Sequence, residues 1–231
     1  MSQRIDIINA STVLKDEQIE LVIPALQEQV SWDFAPAWGR DAQLSFVPSG
    51  TPPSMVGGNW QLIVCDNSDQ AGALGYHDLT KDGLPLGKVF AGTDIQYGSS
   101  WIITMSHELL EMLADPEINL CAMISNKLYA YECCDPCEDD SLAYSVKGIL
   151  LSDFVYPSWF HANGRESYDH AGHISKPLEL APGGYISVMD FYSFGWKQVD
   201  SSPIMATRRA PIGSRRERRL IPRERWIRSL K

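Results

Sequence analysis

His107 and Glu108 stand side by side in the stretch Thr104-Met105-Ser106-His107-Glu108-Leu109-Leu110-Glu111-Met112-Leu113-Ala114-Asp115-Pro116, with Glu111 and Asp115 following at helical spacing. On an α-helix, residues i, i+4 and i+8 share a face, so His107, Glu111 and Asp115 would line up and Glu108 would lie on the adjacent flank. An imidazole nitrogen and a carboxylate oxygen one turn apart can both donate to a divalent ion. A carboxylate next to the first ligand is placed to take a proton from a water that the ion holds. Zinc suits this donor pair best. Because Glu111 offers oxygen, calcium, manganese and magnesium are alternatives. The plainer reading is a polar helix face that meets only solvent.

A second segment bears on the choice. Tyr131–Asp140, YECCDPCEDD, gathers five carboxylates and three thiols just downstream. A metal needs at least three protein ligands, and Glu132 and Asp135 are the best candidates to complete the set, since an E-x-x-D at a strand end can aim both at one centre. Asp115, His77 and Tyr131 are further candidates. His77, Tyr129 or Tyr131 could stabilise an oxyanion, although His77 reads as a loop residue at the surface. A separate Cys2His2 site from Cys134, Cys137, His170 and His173 ranks well below, because the 32 residues between the two pairs fit no compact finger.

These side chains depend on the elements around them. RIDIINAS (4–11) alternates and reads as a strand. Residues 15–34 place Ile19, Val22, Ile23, Leu26 and Val30 on one helical stripe, with a kink expected at Pro24. Residues 41–47, 60–66 and 86–94 read as three more strands, the middle one with the continuous apolar run of a buried strand. A helix over Ser100–Asp115 follows, stopped by Pro116, with Ile103, Leu110, Leu113 and Ala114 facing the core. Beyond it the chain reads as short strands and loops.

At 231 residues, with 44% hydrophobic and 21% charged residues, the chain has the composition of one globular domain. The expected division is a single domain over residues 1–207, with subdomains 1–116 and 117–207, and a tail at 208–231. No stretch is apolar enough for a membrane span, and the N-terminus lacks a signal-type apolar core. That predicts a cytoplasmic or virion-associated protein. Five cysteines, an odd number, argue for reduced thiols. The tail carries +8, which leaves −17 on residues 1–207. Its Trp226, Ile227 and Leu230 accompany the arginines, so a protein partner or self-association is expected there ahead of nucleic acid.

The order strand, helix, three strands, helix, with the motif on the last helix, resembles the N-terminal subdomain of zincins. That resemblance implies an α+β, zincin-like fold: a mixed, twisted sheet with a kinked N-terminal helix and a motif-bearing helix, then a C-terminal part rich in strands and loops. It also implies that the strand before the motif helix, GKVFAGTD, is a sheet edge that aligns peptide substrate. In zinc metallopeptidases the motif is HExxH. Here Glu111 stands where the second histidine would be, giving HExxE. SHELLEMLADP with YECCDPCEDD, GYHDLTKDGLPLGKVF, and SDFVYPSWF with APGGYISV are similar to a family of bacterial and tailed-phage proteins, and a wider set carries a comparable S-H-E-x-x-E-x-x-x-D-P helix followed by E-x-x-D-x-C. Glu132, Asp135 and Cys137 match the latter pattern, and the similarity spans roughly residues 5–195. Two expectations follow. One is a metallopeptidase-like hydrolase acting on peptide, with His107, Glu111 and one or both of Glu132 and Asp135 on the metal and Glu108 as base. The other is a non-catalytic structural or assembly protein, such as a virion component, using the same scaffold.

Overall fold

The computed structural model describes residues 2–52, 55–70, 73–162, 167–192 and 195–201. The tail at 208–231, and with it the expected docking segment, lies outside the described residues.

The chain opens with β1 (Gln3–Asn9), whose alternating apolar side chains Ile5 and Ile7 are fully buried. Helix α1 (Asp16–Glu28) buries the predicted stripe of Ile19, Val22 and Leu26, together with Ala25. Its departure from α geometry does not fall at Pro24. It comes at Gln29–Phe34, a π-helical stretch that continues into the short α2 (Ala35–Trp38). Pro24 lacks the donor for one intrahelical bond, and the α-helix runs on through it to Glu28. In the π stretch Gln29, Val30 and Phe34 point inward.

Five strands then form one mixed sheet in the order β2-β1-β3-β5-β4, comprising β1, β2 (Ala42–Val47), β3 (Trp60–Cys65), β4 (Gly75–Leu79) and β5 (Pro85–Phe90). The pairs β1–β2, β1–β3 and β3–β5 are parallel, and β4 runs antiparallel to β5 at the edge. This corrects two expectations. GKVF belongs to β5, which lies inside the sheet, and AGTD starts α3 (Ala91–Tyr97) instead of ending a strand. The edge is β4, GYHDL, so His77 lies on a strand and not in a loop. A turn at Thr80–Leu84 joins β4 to β5, with Gly83 at φ +81°. Lys-Asp-Gly there was the hairpin signal.

Helix α4 (Trp101–Ala114) follows, with the Ser100 hydroxyl accepting a hydrogen bond from the Ile103 amide as N-cap. It packs on β3, β4 and β5, while the hairpin β8–β9 (Tyr144–Val146, Ile149–Leu151) touches both α4 and α1. Every residue of α4 from Met105 to Ala114 is buried. The helix is therefore covered on both faces, and its polar stripe is not a solvent face. After α4, β6 (Cys121–Ile124), β7 (Lys127–Ala130), β10 (Tyr185–Asp190) and β11 (Trp196–Asp200) make an antiparallel sheet in the order β11-β10-β7-β6. The architecture is thus mixed α+β. One apolar core runs from Ile5 and Leu62 through Leu109 and Met112 to Phe154, Trp159 and Ile186, joining the parts before and after α4. Among the described residues no helix is long and apolar enough to cross a membrane.

Candidate metal centre

Three segments bring the candidate residues together: α4, the edge strand β4 and the loop after β7. On α4, His107 Nε2 lies 3.2 Å from Glu111 Oε1, the contact expected one turn apart. The loop after β7 leads into a 3-10 turn at Asp135–Cys137, and there Asp135 Oδ1 comes within 3.4 Å of the same His107 nitrogen. The backbone amide of Cys134 donates to Glu111 Oε1 at 3.3 Å, which ties this loop to the helix.

The other oxygen of Glu111 faces a different partner. His77 Nδ1 is 3.6 Å from Glu111 Oε2 and 3.9 Å from Glu108 Oε2, and His77 Nε2 is 3.8 Å from Glu132 Oε2. His77 is only 3% exposed, so the expectation of a surface loop residue does not hold. Strand geometry explains its aim. Side chains alternate along β4, and a Cβ at Gly75, two residues earlier, would lie 2.6 Å from Glu108 Oε1. Gly75 thus faces α4 and lets it approach, and His77 projects on the same side.

Among the described residues, ligand atoms within 4.8 Å of one another define two groups, His107–Glu111–Asp135 and His77–Glu111–Glu132, which share Glu111. Glu132 and Asp135 therefore do not converge on one centre as their spacing suggested. Each joins a different histidine. Glu108, Glu111, His107, His77, Glu132 and Asp135 are all at most 4% exposed.

The donors fit a divalent ion. Both nitrogens of the buried His77 ring lack a hydrogen bond among the described residues, a costly state for a polar group unless something else engages it. Four carboxyls face two imidazoles here, so the acids outnumber the bases even with both rings protonated. Imidazole nitrogen with carboxylate oxygen suits zinc or manganese, whereas calcium prefers an all-oxygen shell.

Other candidates fall elsewhere. Asp115 belongs to neither group. It accepts the backbone amides of Asn119 and Leu120, both at 3.0 Å, and so shapes the turn after α4. Tyr131 packs its ring on Phe160 (centroids 4.5 Å apart) and Trp38, and burial raises its phenol pKa. Tyr129 pairs across the sheet with Ala122 and Val188. Cys134 and Cys137 are buried, while His170 stacks on Phe154 and hydrogen-bonds Tyr156, so the Cys2His2 arrangement is not assembled among the described residues.

Sequence reading missed the polar support behind His107. The Ser106 hydroxyl donates to Gln29 Oε1 at 2.7 Å and accepts the Ser152 amide at 3.1 Å, while Gln29 Nε2 donates to the Ser152 carbonyl at 3.0 Å. Gln29 and Ser106 are fully buried and Ser152 nearly so. A glutamine, Gln29, beside Val30 on the apolar side of the stretch that follows α1 was the only signal.

Comparison of the chain with protein-family models, curated proteins and solved structures finds no match in any of the three.

Proposed function

We propose that the protein is a metal-dependent hydrolase of metallopeptidase type on a zincin-like scaffold. The observation that carries this reading is the meeting of His107, Glu111 and Asp135, with Glu108 adjoining His107 on α4. The sheet supports it too, since an antiparallel edge strand lies directly over the motif helix. When bound, a zinc or manganese ion would polarise a scissile carbonyl and acidify a water.

The chain's own residues supply the rest. Glu111 and Asp135 stand beside the same His107 nitrogen and would hold the ion together with it, and the Cys134 amide orients Glu111. Glu108 is the proton acceptor for the attacking water and the donor to the leaving amine. Strand β4 pairs with β5 on one side only among the described residues, so its outer edge can align an extended peptide by backbone hydrogen bonds.

One observation favours a second reading, a non-catalytic structural or assembly protein with a closed metal site. Glu108 is fully buried, and closure marks structural metal sites, whereas catalytic ones keep a position open. Glu108→Gln separates the two. In the hydrolase reading the variant retains its metal and loses peptide hydrolysis by roughly 10²–10⁴-fold, measured on an unstructured protein substrate. Equal rates in both proteins, including none in either, would contradict the hydrolase and leave the closed-site reading.

A further inference from the structure

We propose that the centre holds two metal ions, with the Glu111 carboxylate as the bridge between them. This rests on the metal-binding reading above and goes beyond it. One ion lies among His107, Asp135 and Glu111 Oε1, and the other among His77, Glu132 and Glu111 Oε2.

The first argument is direction. The two oxygens of Glu111 face different imidazoles, at 3.2 Å and 3.6 Å, and neither ligand group contains both histidines. One ion at either position would leave the other histidine among its carboxylates without a metal. A bidentate bridging carboxylate uses both oxygens, as expected for ions roughly 3.5–4 Å apart.

The second argument is the state of His77. Its nitrogens stand 3.6–3.9 Å from three carboxylate oxygens and hydrogen-bond to none. That spacing is too long for a hydrogen bond. It is close to the ~3.4 Å separating two donors bound tetrahedrally to one ion at ~2.1 Å. With Nε2 on the ion beside Glu132, Nδ1 still faces Glu108 Oε2, which is outside the ligand set and can orient the ring's proton, the usual support for a metal-bound histidine.

The third argument is charge. Glu108, Glu111, Glu132 and Asp135 carry up to four negative charges in a buried volume with two imidazoles. Two divalent ions would balance four carboxylates with both histidines neutral, the protonation state that ligation requires.

The test is metal stoichiometry. Full-length protein loaded with Zn²⁺ and desalted should contain two ions per chain by elemental mass spectrometry. His77→Gln and His107→Gln should each contain one. Protein loaded with Mn²⁺ should give the electron paramagnetic resonance spectrum of a spin-coupled pair, a readout that needs no variant to fold. A wild-type content of one ion, unchanged in His77→Gln and lost in His107→Gln, would overturn the second site while leaving the first intact. So would two ions retained in His77→Gln, or an isolated Mn²⁺ signal from wild type. No metal in wild type would remove both this inference and the function proposed above.

Discussion

At the scale of residues, the chain holds several carboxyls in environments that set their charge in opposite directions. Asp66 accepts the hydroxyls of Ser11 and Thr12 and the amides of Thr12 and Val13, and these bonds hold it down at about 2 against the opposing effect of burial. Asp153 goes the other way. Burial, reinforced by a hydrogen bond to Asp169 and by the charge of Asp169, pushes it up to about 8 from an ordinary 3.8. Asp153 also accepts the Phe154 and Ala171 amides, and Asp169 accepts those of His173 and Ile174. A carboxyl raised in the folded state stabilises it fully below the unfolded value, and that contribution is lost as pH rises toward the folded one. Between about pH 5 and pH 9, therefore, wild-type melting temperature should fall more than that of Asp153→Asn, whose amide does not titrate. Parallel melting curves for the two proteins across that range would show that Asp153 is not the titrating group.

At the scale of elements, α4 explains both what the sequence disclosed and what it concealed. Its limits were legible from the Ser100 cap and Pro116, and the contact of His107 with Glu111 follows from the helical repeat alone. Its burial on both faces was not, because periodicity identifies one apolar face and is silent about what covers the polar one. Strand β4 was concealed for a different reason. GYHDL is short, its glycine and aspartate are weak strand formers, and Gly75 serves close approach to α4. The bridge of Ser106, Gln29 and Ser152 joins residues 77 and 46 positions apart, a separation no local pattern encodes. Ser106→Ala would remove the hydrogen bonds that Gln29 Oε1 and the Ser152 backbone amide make with the Ser106 hydroxyl in a buried place. At roughly 1–3 kcal/mol for each such group, the variant should lose about 2 kcal/mol or more in urea denaturation without a change in slope. A loss below about 0.5 kcal/mol, the range of neutral surface changes, would mean that the bridge does not hold α4 in place.

At the scale of the whole molecule, the centre exists only because distant segments meet. β4 delivers His77, α4 delivers His107, Glu108 and Glu111, and the loop after β7 delivers Glu132 and Asp135. Glu111, Glu132 and Asp135, which the fold gathers beside the histidines, were singled out by their types and spacing. Their division between two histidines was not, because that depends on the hairpin of β4 and β5 placing an edge strand beside the helix. The core continuous from β1 to β10 makes these placements mutually dependent, so metal binding should add to the stability of the entire fold. The most direct test of the central claim is anomalous diffraction at the zinc edge from crystals of the zinc-loaded protein. The account predicts a peak about 2.0–2.2 Å from His107 Nε2, Glu111 Oε1 and Asp135 Oδ1. Crystals whose only peaks lie at surface side chains, with His107 still packed against Glu111 and Asp135, would contradict it.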